Sequence, residues 1–134
     1  MFSAPSEQLI RERWRLYWKR YPTDYAVSRY LNFRGTGSIL ELNPLNFMFP
    51  RSDWALVFWD DSCLVFLKRN KLNERLIASH EYKWLWPYNL YQMRQMLKNK
   101  DVLSTDCADE LKRHEQETGG GLVHERLAGI LAGS

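Results

Sequence analysis

Apolar residues recur at steps of three and four from Leu9 and Ile10 through Trp14, Tyr17 and Trp18 to Tyr21, with Arg11, Glu12, Arg13, Arg15 and Lys19 between them. That spacing predicts an amphipathic helix behind Ser6. Pro22 cannot sit inside a helix and disfavours helical geometry at Tyr21, so the helix ends there. Tyr25 to Leu31 is moderately rich in strand formers and predicts a buried strand. Asn32 to Gly37 reads as a loop by its two glycines, and Ser38 can cap a short helix through Leu42. Between Pro44 and Pro50, the patch Leu45, Phe47, Met48 and Phe49 is too interrupted for a long element and predicts a packed loop.

The pattern is densest over Asp53 to Trp59 and Cys63 to Lys68, two apolar runs joined by the acidic turn Asp60-Asp61-Ser62. This predicts an antiparallel hairpin. Its apolar character on both faces predicts a sheet covered on both sides, with the first helix and the later helices as covers. Asn70 or Asn73 can cap a helix with Leu72, Leu76 and Ile77 inward that ends near His80. The aromatic segment Tyr82, Trp84, Trp86, Pro87, Tyr88 and Tyr91 leads into a predicted helix over Leu90 to Asn99. Thr105 or Asp106 caps Cys107 to Glu117, and Gly119-Gly120-Gly121 separates that helix from Leu122 to Leu131. The expected fold is therefore α/β, or α+β. A small body over residues 1–88 holds the hairpin among helices, and a helical hairpin tail follows over residues 89–134.

With 134 residues, 45% hydrophobic and 14% aromatic, the chain fits one compact soluble domain and excludes a multidomain enzyme. The apolar runs fall far short of the roughly 20 residues that span a bilayer, so no transmembrane segment is expected. Met1 to Ser6 lacks the basic and apolar regions of a cleavable signal, which points to the cytoplasm. Charge changes the picture more. Residues 1–100 hold 16 Lys/Arg against 9 Asp/Glu, whereas residues 101–134 hold 3 against 7, giving a body of +7 and a tail of −4. The plainer reading is that the acidic tail docks on the basic body; the sharper one is that the body binds an external polyanion.

No catalytic constellation emerges, and no metal or cofactor is expected. Gly35-Thr36-Gly37 lacks the third glycine and the Lys-Ser/Thr pair of a phosphate loop, and reads as a turn. Asp60 and Asp61 suit an exposed hairpin turn better than a metal or acid–base pair. His80, His114 and His124 are each followed by Glu, but none has a second histidine one helical turn on, so all three read as surface residues. Cys63 and Cys107 match no zinc or redox spacing, and Cys63 reads as an inert thiol in an apolar strand. Arg11, Arg15 and Lys19 beside Trp14, Tyr17, Trp18 and Tyr21 are the candidate anion-binding residues, since cations neutralise phosphates while rings stack on bases or settle in a lipid interface. The plainer alternative has the rings facing the sheet and the charges facing water. Trp84, Trp86 and Tyr88 are the candidate interface or junction residues, because large rings next to Pro87 favour a rigid, buried join.

The runs Trp14 to Tyr21, Asp24 to Ser28, Ser52 to Asp61 and Val65 to Asn70, followed by Glu81-Tyr82-Lys83 and Trp86-Pro87-Tyr88, carry a resemblance over roughly residues 10–90. They resemble the soluble domain that follows the transmembrane part of bacterial polytopic glycosyltransferase-like proteins, many of which continue into tetratricopeptide repeats. The resemblance implies a tetratricopeptide-like tail and a place on the outer side of the cytoplasmic membrane, against the cytoplasmic cue of the N-terminus. This sequence lacks the membrane helices and the acidic loop residues of such proteins, so no catalytic residue is carried over. The expected function is a non-catalytic interaction or accessory module that works through a protein partner or self-association. The alternative is a small protein that binds nucleic acid or an anionic membrane through the basic aromatic helix 9–21.

Overall fold

The structure, a computed structural model, describes residues 5–30 and 44–133. The loop and short helix expected over residues 32–42, with the Gly35-Thr36-Gly37 turn, lie outside them. The architecture is α/β, with a small antiparallel sheet among helices and a helical hairpin at the C-terminal end. In chain order the elements are α1 (Pro5–Arg20), β1 (Tyr25–Arg29), α2 (Pro44–Met48), β2 (Trp54–Trp59), β3 (Cys63–Lys68), α3 (Glu74–His80), α4 (Leu90–Lys98), α5 (Ser104–Thr118) and α6 (Leu122–Ala132).

The sheet has the order β1-β3-β2 with both pairings antiparallel. At the hairpin turn, one carboxylate oxygen of Asp60 accepts from the backbone N–H of Ser62 at 2.7 Å and of Cys63 at 2.8 Å. Leu56 and Trp59 are three residues apart and would point to opposite faces of a regular strand. A register shift at Val57 puts both on the same face, where Leu56 opposes Phe66 and Trp59 opposes Leu64. These four side chains and Trp54 are the fully buried centre of the molecule. Leu45, Phe49, Tyr82, Leu85, Met93, Cys107 and Leu127 belong to the same cluster, so one continuous core includes the helical tail.

Three expectations change. The strand at Tyr25 is not buried: Ala26 turns toward the core opposite Phe66, but Tyr25 and Val27, opposite Leu67 and Val65, are 63% and 62% exposed. β1 lies at the edge of the sheet, where among the described residues no further strand pairs with it. The first helix covers the sheet only through Trp18 among its described residues. It leans on α2 through Trp18, whose indole N–H donates to the Met48 carbonyl at 2.6 Å and whose ring meets Phe49 and Trp54. Leu9, Leu16, Tyr17 and Tyr21 stay exposed. In α3 only Ile77 is buried, and Leu72 and Leu76 face solvent.

The segment expected as a packed loop forms one helical turn, α2, with Pro44 at its start and Leu45 and Phe47 buried. α5 begins at Ser104 without a side-chain cap, and ends on Gly119, whose φ of 83° is the left-handed geometry glycine tolerates.

Candidate functional site

Arg11, Arg15 and Lys19 are spaced i, i+4, i+8 and therefore share one stripe of α1. They line a groove of about 570 Å³. Trp18, Phe47, Asp53 and Lys68 line it too. The Arg11 guanidinium lies 4.8 Å from the centre of the Phe47 ring, and the Lys68 ammonium 5.0 Å from that of Trp54. Arg15 is paired with Glu12, whose carboxyl that hydrogen bond holds below its ordinary value. Among the described residues no ion pair engages Arg11, Lys19 or Lys68. Lys68 is the member that sequence reading missed. It arrives from the far end of β3, and nothing in its spacing relates it to the helix.

Trp84, Trp86 and Tyr88 lie in an irregular segment, residues 81–89, whose backbone two charged side chains hold from opposite sides. Arg51 donates to the carbonyls of Tyr82 and Leu85 at 2.7 Å and to the Tyr88 hydroxyl at 3.0 Å, and stacks 4.2 Å from the Trp86 ring. The Glu110 carboxylate accepts from the backbone N–H groups of Lys83 at 2.7 Å and of Trp84 and Leu85 at 3.0 Å. Burial pushes the Glu110 carboxyl above its ordinary value, against the opposing pull of those three N–H groups. Tyr88 sits in the core, Trp86 is half-buried, and Trp84 is 38% exposed.

His114 is fully buried, contrary to the expectation of a surface histidine. Its ring stacks 3.4 Å from that of Trp59, with its Nε2 2.8 Å from the Trp59 carbonyl and its Nδ1 2.9 Å from Nδ1 of His124. A carbonyl only accepts, so Nε2 of His114 carries a proton; its Nδ1 then accepts from Nδ1–H of His124. Burial, the larger cause, and the adjacent His124 hold His114 below its ordinary value. The rings form a packed pair, and the hydroxyl beside them, that of Thr118, donates to the His114 carbonyl at 2.8 Å. Local spacing carries no cue to this pair, because ten residues and a glycine break separate the two rings.

The neighbouring carboxylates are already engaged. Asp60 holds the hairpin turn, and Asp61 reaches across to accept from the N–H groups of Leu122 at 2.8 Å and Val123 at 2.9 Å, capping α6. Those two N–H groups hold the Asp61 carboxyl below its ordinary value. Cys107 is a buried thiol pushed up to about 11 by desolvation, and desolvation raises half-buried Cys63 as well. Among the described residues no group of three His, Cys, Asp or Glu side chains converges on a metal position, and no helix is long and apolar enough to cross a membrane.

With this geometry established, comparison with known proteins adds no relative: no family model, curated protein or solved structure matches the chain.

Proposed function

We propose that this chain is a non-catalytic interaction module, akin to the extramembrane C-terminal region of a glycosyltransferase-like membrane protein, and that it docks a protein strand on the edge that β1 leaves unpaired among the described residues. One observation carries the reading: among the described residues β1 is an edge strand, and its outward residues Tyr25 and Val27 are 63% and 62% exposed. An edge strand presents a row of backbone donors and acceptors, and apolar side chains on its open face add area for a partner strand to bury. Polar residues usually blunt such edges; here only Arg29 does so on that face.

A second copy of the chain is the partner that can be tested directly. Light scattering on the purified chain at low and high salt reads its association. The expected result is a salt-independent assembly that Val27→Lys, at an exposed position, dissolves while the circular dichroism spectrum is kept. A chain that stays monomeric at the highest attainable concentration would remove the edge as a self-association surface and count against the module reading.

A further inference from the structure

α4 and α6 pack against each other and leave a cleft of about 730 Å³, a volume typical of small-molecule sites. From α4, Leu90, Arg94, Leu97 and Lys98 line it at i, i+4, i+7 and i+8, and so share one side of that helix. From α6, Arg126, Gly129, Ile130 and Gly133 line it at i, i+3, i+4 and i+7, and Lys100 joins them from beyond the end of α4. The cleft thus has an apolar lining with four cations around it and no carboxylate among the residues that line it.

Two features of the cleft answer to no partner among the described residues. The first is the charge. Arg94, Lys98, Lys100 and Arg126 are all exposed, and none joins an ion pair among the described residues. Asp61, the carboxylate that feels the charge of Arg126, is occupied by the N–H groups of Leu122 and Val123. Lys98 and Lys100 also complement the C-terminal end of the α4 dipole, but Arg94 and Arg126 lie inside their helices and have no such role. Lys100 moreover brings its cation from a left-handed backbone, with a φ of 60°, where glycine or asparagine is the usual occupant. The second feature is Gly129. Glycine inside a helix is less favourable than alanine, yet a Cβ at this position would meet nothing within 4 Å. Neither close packing nor backbone geometry requires a glycine there, and its effect is to leave the cleft open.

We infer that the α4–α6 cleft binds a small anionic amphiphile, a carboxylate or phosphate head on an apolar chain. The head meets the four cations, and the chain lies on Leu90, Leu97 and Ile130 in the space that Gly129 leaves. An inorganic anion would leave the apolar lining unused, and a neutral apolar ligand would leave the cations unused. No aromatic side chain lines the cleft for bases to stack on, which favours a small amphiphile over a nucleic acid. The inference rests on this cleft and is independent of the β1 edge.

Calorimetric titration of the full chain with octanoate, octyl phosphate, octanol and inorganic phosphate tests it. Both octyl anions should bind one per chain, more weakly in high salt, and at least about tenfold tighter than octanol or inorganic phosphate; the tighter of the two tells a carboxylate ligand from a phosphate one. A lost charge-assisted contact is worth about tenfold, so Arg94→Gln with Arg126→Gln should weaken both octyl anions by at least that factor. Gly129→Leu should keep or raise Tm, since leucine favours a helix over glycine, and should weaken the octyl anions at least about tenfold by filling the cleft. All three positions are exposed, and circular dichroism checks the fold of both variants. Octanol binding as tightly as octyl phosphate, or inorganic phosphate doing so, would overturn the inference. So would octyl anion binding that either variant leaves at the wild-type level, or no binding at millimolar concentration. A single-stranded oligonucleotide that binds more tightly than octyl phosphate, and is lost in the arginine variant, would overturn it in favour of nucleic acid.

Discussion

Replacing Glu110 by alanine removes the acceptor for the consecutive N–H groups of Lys83, Trp84 and Leu85. No helix or sheet ladder is available to them there. Lys83 and Trp84 are exposed enough for water to replace the carboxylate, so each of those bonds costs about 1 kcal/mol when lost. Leu85 is fully buried, and its orphaned N–H carries the larger penalty of about 2 kcal/mol. The sum is about 4 kcal/mol, a large part of the roughly 5–15 kcal/mol that holds a domain together. Urea unfolding followed by tryptophan fluorescence reads this directly: at a slope of about 2 kcal/mol per molar, the midpoint of Glu110→Ala should fall by about 2 M. Glu110→Gln keeps one acceptor oxygen but turns an amide NH2 toward the remaining donors, so it should lie between the wild type and the alanine variant. A midpoint within about 0.5 M of wild type for Glu110→Ala would refute the claim that this carboxylate supports the segment.

Arg51→Lys loses the planar fork that spans two carbonyls and the Tyr88 hydroxyl, and should cost about 2 kcal/mol in the same urea assay, where a neutral result would count against the clamp. His114 has a folded-state value below that of the unfolded chain, so the unfolded chain takes up the proton first. Its contribution is complete above about pH 6.5 and is lost as pH falls from there through the folded-state value. Thermal unfolding should show Tm falling with acid across that window in the wild type and a flatter profile in His114→Phe; equal slopes would exclude His114 as the source. Asp61→Ala should cost about 1 kcal/mol by uncapping α6. Gly121 has a φ of 134°, and a Cβ there would stand 2.8 Å from an Asp61 carboxylate oxygen, so Gly121→Ala should disturb the same cap and the two losses should fail to add in a double-mutant cycle.

The elements that periodicity and turn chemistry govern were legible in the sequence. The hairpin follows from two apolar runs around Asp60-Asp61-Ser62, and α4 and the α5–α6 hairpin follow from helical spacing broken by three glycines. Boundaries moved, as at α5, which starts at Ser104 rather than Cys107. What failed was the assignment of faces. Leu72 and Leu76 have the spacing of buried residues, yet α3 is too short to bring more than Ile77 under cover. Leu9, Ile10, Tyr17 and Tyr21 likewise read as an apolar stripe, but of the described α1 residues Trp18 is the one that packs on the core. Apolar periodicity records that a face is suited to burial and not what lies opposite. The groove was half legible: the i, i+4, i+8 spacing of Arg11, Arg15 and Lys19 is a property of one helix, whereas Lys68 joins them only through the pairing of β3 in the sheet. Arg51, Glu110 and the His114–His124 pair act through backbone groups or rings brought from distant segments, and local spacing carries no trace of them.

The manner in which the tail docks bears on what the basic body is free to do. The body's net charge of +7 and the tail's of −4 suggest that one neutralises the other. The contacts between them are of another kind. Glu110 accepts from backbone N–H groups and Glu117 from the Tyr82 hydroxyl, His114 stacks on Trp59, and Arg113, a cation from the acidic tail, donates to the carbonyl of His80. The ion pairs among the described residues, Arg15–Glu12, Arg69–Glu81 and Arg113–Glu117, each stay within the body or within the tail. The tail is thus held by hydrogen bonds and ring packing, and no ion pair among the described residues joins its carboxylates to Arg11, Lys19 or Lys68. Docking of the tail and binding of an external anion are therefore compatible in one molecule.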